Sequence, residues 1–175
     1  LLFLLTACAA GEALPLETFK DAQERFVFSI PQGWQSEQQG GLYTFTPPGF
    51  QGTPQDLRVL LLLSPTGTDD PQEHVSIASA AITDFLSTRV TDDYEIYNQG
   101  ETKVAKFNST ILDFGKPDGE GFLSGREVIV AAPRYAMVFL GMGEHEAWKA
   151  FLPTFREMLK AFQFPLPDME PLISP

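Results

Sequence analysis

One thiol, two imidazoles and a scatter of carboxylates are the side chains here that could do chemistry. Cys8 is the only cysteine among 175 residues, and it ends the apolar run Leu1-Leu2-Phe3-Leu4-Leu5 directly behind the small residues Thr6 and Ala7. A lone thiol in that position could be a nucleophile, a site of covalent modification or an ordinary buried cysteine. The histidines are His74 and His145. A helical pair of zinc ligands opening at His145 would need its second ligand one turn on, where Lys149 stands. No Gly-x-Ser-x-Gly elbow presents a serine, so a hydrolase built on His74 or His145 would need a hydroxyl and a carboxylate brought together by the fold. Gly141-Met142-Gly143 lacks the third glycine of a phosphate-cradling loop and is read as a strand-to-helix turn. Three acidic groups, Asp69/Asp70/Glu73, Asp92/Asp93/Glu95 and Asp113/Asp118/Glu120, lack the ligand spacing of a calcium loop and are expected on the solvated surface. Asp70 also suits a helix start, where its charge complements the dipole. These residues call for no catalytic role, no metal and no cofactor; the chain is expected not to be an enzyme.

Leu5-Thr6-Ala7-Cys8 resembles the lipobox of bacterial lipoprotein precursors. That resemblance implies that Leu5, Thr6 and Ala7 are recognised by the leader peptidase, whose narrow site needs small residues before the cut. It also implies that Cys8 carries the lipid anchor, which would remove its thiol from nucleophilic chemistry. Lacking an initiator Met and a basic n-region, residues 1–7 are expected to be the remainder of a truncated signal peptide. More than one acyl chain is expected, since each buried methylene contributes roughly 0.8 kcal/mol and a single chain holds only marginally. Ala7-Cys8-Ala9 also fits an ordinary secretory cut. A transmembrane anchor would need about 20 apolar residues, far more than are present. Ala9 is not the Asp that retains lipoproteins at the inner membrane of enteric bacteria, so in such a host the outer membrane is open as a destination.

Composition narrows the classes further. Twelve Lys and Arg against 23 Asp and Glu give a net charge of −11, none of it in the first seven residues. Such a chain is repelled by phosphate backbones and anionic headgroups, which argues against nucleic-acid binding and against adhesion through a basic patch. Lipid on Cys8 would then supply the membrane contact. The segmentation expected is a lipidated cysteine and tether over 8–24, one domain over 25–164, and a Pro-rich flexible tail over 165–175, where Pro165, Pro167, Pro171 and Pro175 defeat regular ladders.

Within the domain the period alternates between strand and helix. Phe26, Phe28 and Ile30 alternate before a turn at Pro31-Gln32-Gly33-Trp34, and Tyr43 and Phe45 alternate in a second strand. Val59 to Leu63 and Tyr135 to Leu140 are nearly continuous apolar runs, the sign of strands buried on both faces. Tyr94–Tyr97, Thr102–Ala105, Ser109–Phe114 and Gly125–Ala131 read as further strands, the last joined to Arg134–Gly141 by a hairpin at Pro133. One helix is expected after Asp70-Pro71 on Val75, Ala78, Ile82, Phe85 and Leu86, and another from Glu144 to Phe162 with Pro153 kinking or dividing it. Most of the 15 Phe are expected in the core; an exposed group among Phe45, Phe50 and Phe122 would instead mark a protein-contact surface.

The stretch Phe26-Val27-Phe28-Ser29-Ile30-Pro31-Gln32-Gly33-Trp34, the hairpin at Pro133 and the ending Phe155 to Phe164 resemble the PsbP-like and DcrB-like superfamily. The resemblance implies an α+β fold: an α/β/α sandwich in which a central antiparallel sheet of six to seven strands carries a helix on each face. The superfamily includes extrinsic photosystem II proteins, envelope lipoproteins and a nuclear Ran-binding relative, and offers no active site to carry over. The expected protein is thus an exported, membrane-anchored lipoprotein of the bacterial cell envelope, a non-catalytic binding or assembly module with an envelope protein as partner. A photosystem II-associated lipoprotein and a secreted hydrolase are the alternatives.

Overall fold

A computed structural model describes residues 12–53, 56–65, 94–115, 123–132 and 135–163, with Asp70, Glu73, Ser76 and Ala80 as single positions. Among the described residues there are nine strands: β1 (Leu16–Lys20), β2 (Val27–Pro31), β3 (Gln35–Gln39), β4 (Leu42–Thr46), β5 (Arg58–Pro65), β6 (Glu95–Val104), β7 (Phe107–Gly115), β8 (Leu123–Ala132) and β9 (Tyr135–Glu144). They are followed by a helix, α1 (His145–Lys160). Strands β3-β4-β5-β9-β8-β7-β6 form a seven-stranded sheet, antiparallel throughout, while β1 and β2 form a separate hairpin.

The central position of β5 and β9 follows from their composition. Alternate residues go to opposite faces, so a run apolar at every position requires cover on both. Val59, Leu61, Leu63, Met137 and Phe139 face one side, where α1 brings Trp148, Phe151, Phe155 and Met158 and β2 brings Phe28 and Ile30. Leu60, Val138, Leu140 and Met142 face the other, in a second buried cluster with Phe114, Leu123 and Ile129. The first face is dominated by aromatic rings: Phe28, Phe45, Phe139 and Phe162 meet at centroid distances of 5.0–6.0 Å, and Phe45 is fully buried.

Several expectations change. The described residues hold one complete helix, α1, rather than one on each face; of the segment expected to supply the other, through Leu86, only Asp70 and the helical positions Glu73, Ser76 and Ala80 are described. Residues 8–24 are not all tether, because Leu16–Lys20 pairs with β2 and Phe19 packs on Phe45 at 5.1 Å. The strands expected at Tyr94–Tyr97 and Thr102–Ala105 are parts of one strand, β6, which runs from Glu95 to Val104 with a bulge between Ile96 and Asn98. Gly141-Met142-Gly143 is not a turn but the end of β9. A Cβ at Gly141 would lie 2.5 Å from the Trp148 ring and 2.9 Å from Phe155, so this glycine is what lets α1 lie close on the sheet. The helix runs unbroken through Pro153. Its N-cap is Glu144, whose carboxylate accepts the backbone N–H groups of Glu146 and Ala147 at 3.1 Å each, and those bonds hold that carboxyl below its ordinary range. The tail over 165–175 and the turn at Pro133 lie outside the described residues.

Candidate functional site

The anchor motif, Leu5, Thr6, Ala7 and Cys8, lies outside the described residues, as does His74. The other histidine opens α1. Its Nδ1 lies 2.8 Å from the Ser124 hydroxyl on β8, and its Nε2 lies 3.7 Å from the Glu146 carboxylate. Hydroxyl, imidazole and carboxylate are thus adjacent, the juxtaposition a hydrolase would need. Their exposure is the reverse of what attack on a substrate requires. Ser124 is 1% exposed beneath the ring, so a substrate carbonyl has no approach to it, whereas the Glu146 that would orient the ring is open to solvent. The pairing fits a histidine seated on a buried hydroxyl at a helix start. Lys149, at the position of the missing zinc ligand, lies 3.8 Å from Glu146, and no group of His, Cys, Asp and Glu among the described residues could hold a metal.

Next to this pair on the same sheet face, three strands contribute a polar cluster. Asp113 on β7 and Arg126 on β8 are register partners. The guanidinium donates from Nε and Nη2 to the two carboxylate oxygens at 2.6 and 2.9 Å, and the Asn98 amide donates to one of them at 2.8 Å. Burial pushes the Asp113 carboxyl up, but the bonds from Arg126 and Asn98 outweigh it and hold the group below its ordinary range. Asp113 is therefore a buried, paired carboxylate rather than the solvated acid expected of its group. Glu95 is exposed, as that reading has it; Asp69, Asp92, Asp93, Asp118 and Glu120 lie outside the described residues.

A second ionic cluster fastens the β1–β2 hairpin to the sheet. The buried Asp21 carboxylate accepts Arg25 Nε at 2.7 Å, Arg25 Nη2 at 3.0 Å and the Arg25 backbone N–H at 3.1 Å. Tyr43 on β4 donates its hydroxyl to Asp21 and accepts from Arg25. The bonds from Arg25 keep Asp21 far below the carboxylate range, while burial, then the Asp21 contact, push the Tyr43 phenol up to about 12.

Glu127 is of a different kind. It sits on β8 between Leu112 of β7 and Leu140 of β9, is 5% exposed, and its Oε1 has no hydrogen-bond partner. Burial alone pushes its carboxyl up from 4.5 to about 7. Sequence reasoning missed it, although a signal was there: Glu127 shares strand parity with Leu123 and Ile129, so it had to point into the same apolar layer. Arg126 and Asn98 were missed because only the β6–β7–β8 register brings them to Asp113.

At the surface, the exposed large apolar residues among those described are Leu14 (46%), Ile96 (54%) and Tyr97 (62%), the last two at the bulge of edge strand β6. They do not form the exposed Phe group considered above: Phe45 is core, Phe50 is half-buried and Phe122 lies outside the described residues. Among the described residues, no helix is long and apolar enough to cross a membrane.

No family model matches the sequence, and no curated protein does either. Solved structures do match in shape. The solution structure of cyanobacterial PsbP (CyanoP) from Synechocystis sp. PCC 6803 is similar with a TM-score of 0.64 at 12% identity, over 91% of this chain and 98% of that one. The crystal structure of LpqN, involved in cell envelope biogenesis of Mycobacterium tuberculosis, is similar with a TM-score of 0.54 at 9% identity, over 85% of this chain and 90% of that one. At such identities the likeness is one of fold, and the fold of this chain, an antiparallel sheet with α1 laid across one face, is PsbP-like.

Proposed function

We propose that the protein is a non-catalytic module of the bacterial cell envelope, exported and held at a membrane by lipid on Cys8, where its domain binds or assembles an envelope protein. The observation that carries this reading is the union of two independent signals. The lipobox-like Leu5-Thr6-Ala7-Cys8 stands a few residues ahead of a PsbP-like fold, and one neighbour in shape is named for cell envelope biogenesis. The ionisable groups described above support the non-catalytic part, since Asp21, Asp113 and Ser124 are each engaged by a neighbouring side chain and withdrawn from solvent. The bulge of β6, with Ile96 and Tyr97 exposed, is the surface we assign to the protein partner. Cys8→Ser tests the anchor: in fractionated cells the native protein sediments with membranes and the variant is soluble, and a variant that still sediments refutes it. A second reading, association with photosystem II as the PsbP-like resemblance implies, is favoured by the near-complete coverage of the cyanobacterial PsbP chain. Co-purification with photosystem II from a phototrophic host, abolished by Tyr97→Ala, would establish it.

A further inference from the structure

Resting on the lipid anchor just proposed, the geometry points to a second, direct contact with the bilayer: the outer face of α1, with Leu14, Pro15 and Trp34 beside it, lies against the lipid surface.

The first argument is the length of chain between anchor and fold. The Leu14 backbone N–H donates to Thr154 Oγ1 on α1 at 2.9 Å, and the Pro15 carbonyl accepts the Gln32 N–H at 2.9 Å. The chain is thus fastened beside α1 from Leu14 onward. Only six residue steps separate Leu14 from Cys8, a reach of at most about 21 Å even when fully extended. Seven strands at a spacing of about 4.8 Å span about 29 Å, so the tether is shorter than the sheet is wide. It keeps the surface around Leu14 at high effective concentration against the headgroups, where a weak contact suffices.

The second argument is what that surface carries. Leu14 is nearly half exposed, Pro15 is exposed, and the half-buried Trp34 stacks on Phe151 of α1 with centroids 5.0 Å apart. An amphipathic indole next to free aliphatic groups suits the headgroup layer. Charge does not oppose this. The chain carries −11, yet on α1 Lys149 and Lys160 pair with Glu146 and Glu157, and Arg156 is offset by the N-cap Glu144, so this face is locally neutral on an acidic molecule. Long basic side chains at a membrane surface can lay their methylenes along lipid while their charges meet phosphate.

Two single-cysteine variants of the full-length lipidated protein test this, because acylated Cys8 leaves the introduced thiol as the one that takes a label. Ala150→Cys reports from the outer face of α1 and Glu101→Cys from the exposed side of β6. Each is labelled with an environment-sensitive fluorophore and incorporated into phosphatidylcholine vesicles bearing a headgroup nitroxide quencher. The expected result is quenching several-fold stronger at position 150 than at 101, with Leu14→Asp lowering the signal at 150 while the protein still floats with the vesicles. Flotation with equal quenching at both positions, or with stronger quenching at 101, overturns the contact and leaves the anchor standing. Protein that does not float refutes anchor and contact together. A change at position 150 that follows protein concentration in detergent without vesicles assigns the face to a second copy and overturns the proposal.

Discussion

Glu127→Gln should stabilise the protein, and by an amount that depends on pH. In the folded state burial raises this carboxyl from 4.5 to about 7 with no counter-charge and no partner for Oε1. Below the unfolded value both states hold the proton and the group costs nothing by ionisation. Between the two values the unfolded chain releases the proton while the folded one keeps it, so stability falls as pH rises. Above the folded value the full difference is lost, about 3 kcal/mol at 1.36 kcal/mol per pH unit. Glutamine has nearly the shape of the protonated acid and never ionises. The variant should therefore match the native protein near pH 4 and exceed it by about 3 kcal/mol near pH 8, a rise of roughly 6–12 °C in Tm for a domain of this size. Urea denaturation of both proteins at the two pH values, with the slopes compared to confirm that the unfolded states are alike, measures the difference. A gap that is the same at both pH values, or a variant less stable at alkaline pH, refutes the argument that Glu127 is an uncompensated buried acid.

Asp21→Asn should cost about 3 kcal/mol near neutrality, because it leaves Arg25 without its counter-charge against the aromatic core. Since the folded Asp21 lies below its ordinary 3.8, that loss is full above the ordinary value and closes as pH falls beneath it, a crossover read from thermal melts at a series of acidic pH values. Gly141→Ala should cost about 1–3 kcal/mol in chemical denaturation, as the new methyl meets Trp148 and Phe155 and α1 must lift from β9; a neutral result would show that the helix has room to spare. Ser124→Ala should leave any ester hydrolysis by the purified protein at the native level, because the hydroxyl is closed to substrate; a selective loss of rate would revive the hydrolase alternative.

What was legible in the residues follows from how locally each element is determined. β5, β9 and α1 announce themselves because their whole apolar pattern lies within one segment. β3 does not: Gln35-Ser36-Glu37-Gln38-Gln39 is polar and exposed at every position and is a strand because β4 pairs with it across the tight turn at Gly40-Gly41. Gly40 has a φ of +61°, and a Cβ at Gly41 would stand 2.3 Å from the Leu63 carbonyl. β1 was hidden for a similar reason, since Leu16 and Phe19 do not alternate and gain their burial from β2 and the aromatic cluster. The Asp113–Arg126 pair is a product of register, which no single segment encodes. Glu127 was the avoidable omission, because the parity of its own strand placed a carboxyl among leucines.

The hairpin of β1 and β2 also decides how the molecule would bear load. Val27 exchanges two backbone bonds with Gln163, at 2.8 and 2.9 Å, so the exit from the last helix is stitched to the same ribbon that receives the incoming chain. Tension applied at residue 12 is met first by the Leu14–Thr154 bond and the five paired residues of β1. Peeling β1 alone would leave Phe28 and Ile30 of β2 in the core, whereas peeling the whole ribbon would open it, so β1 is the part that can yield first.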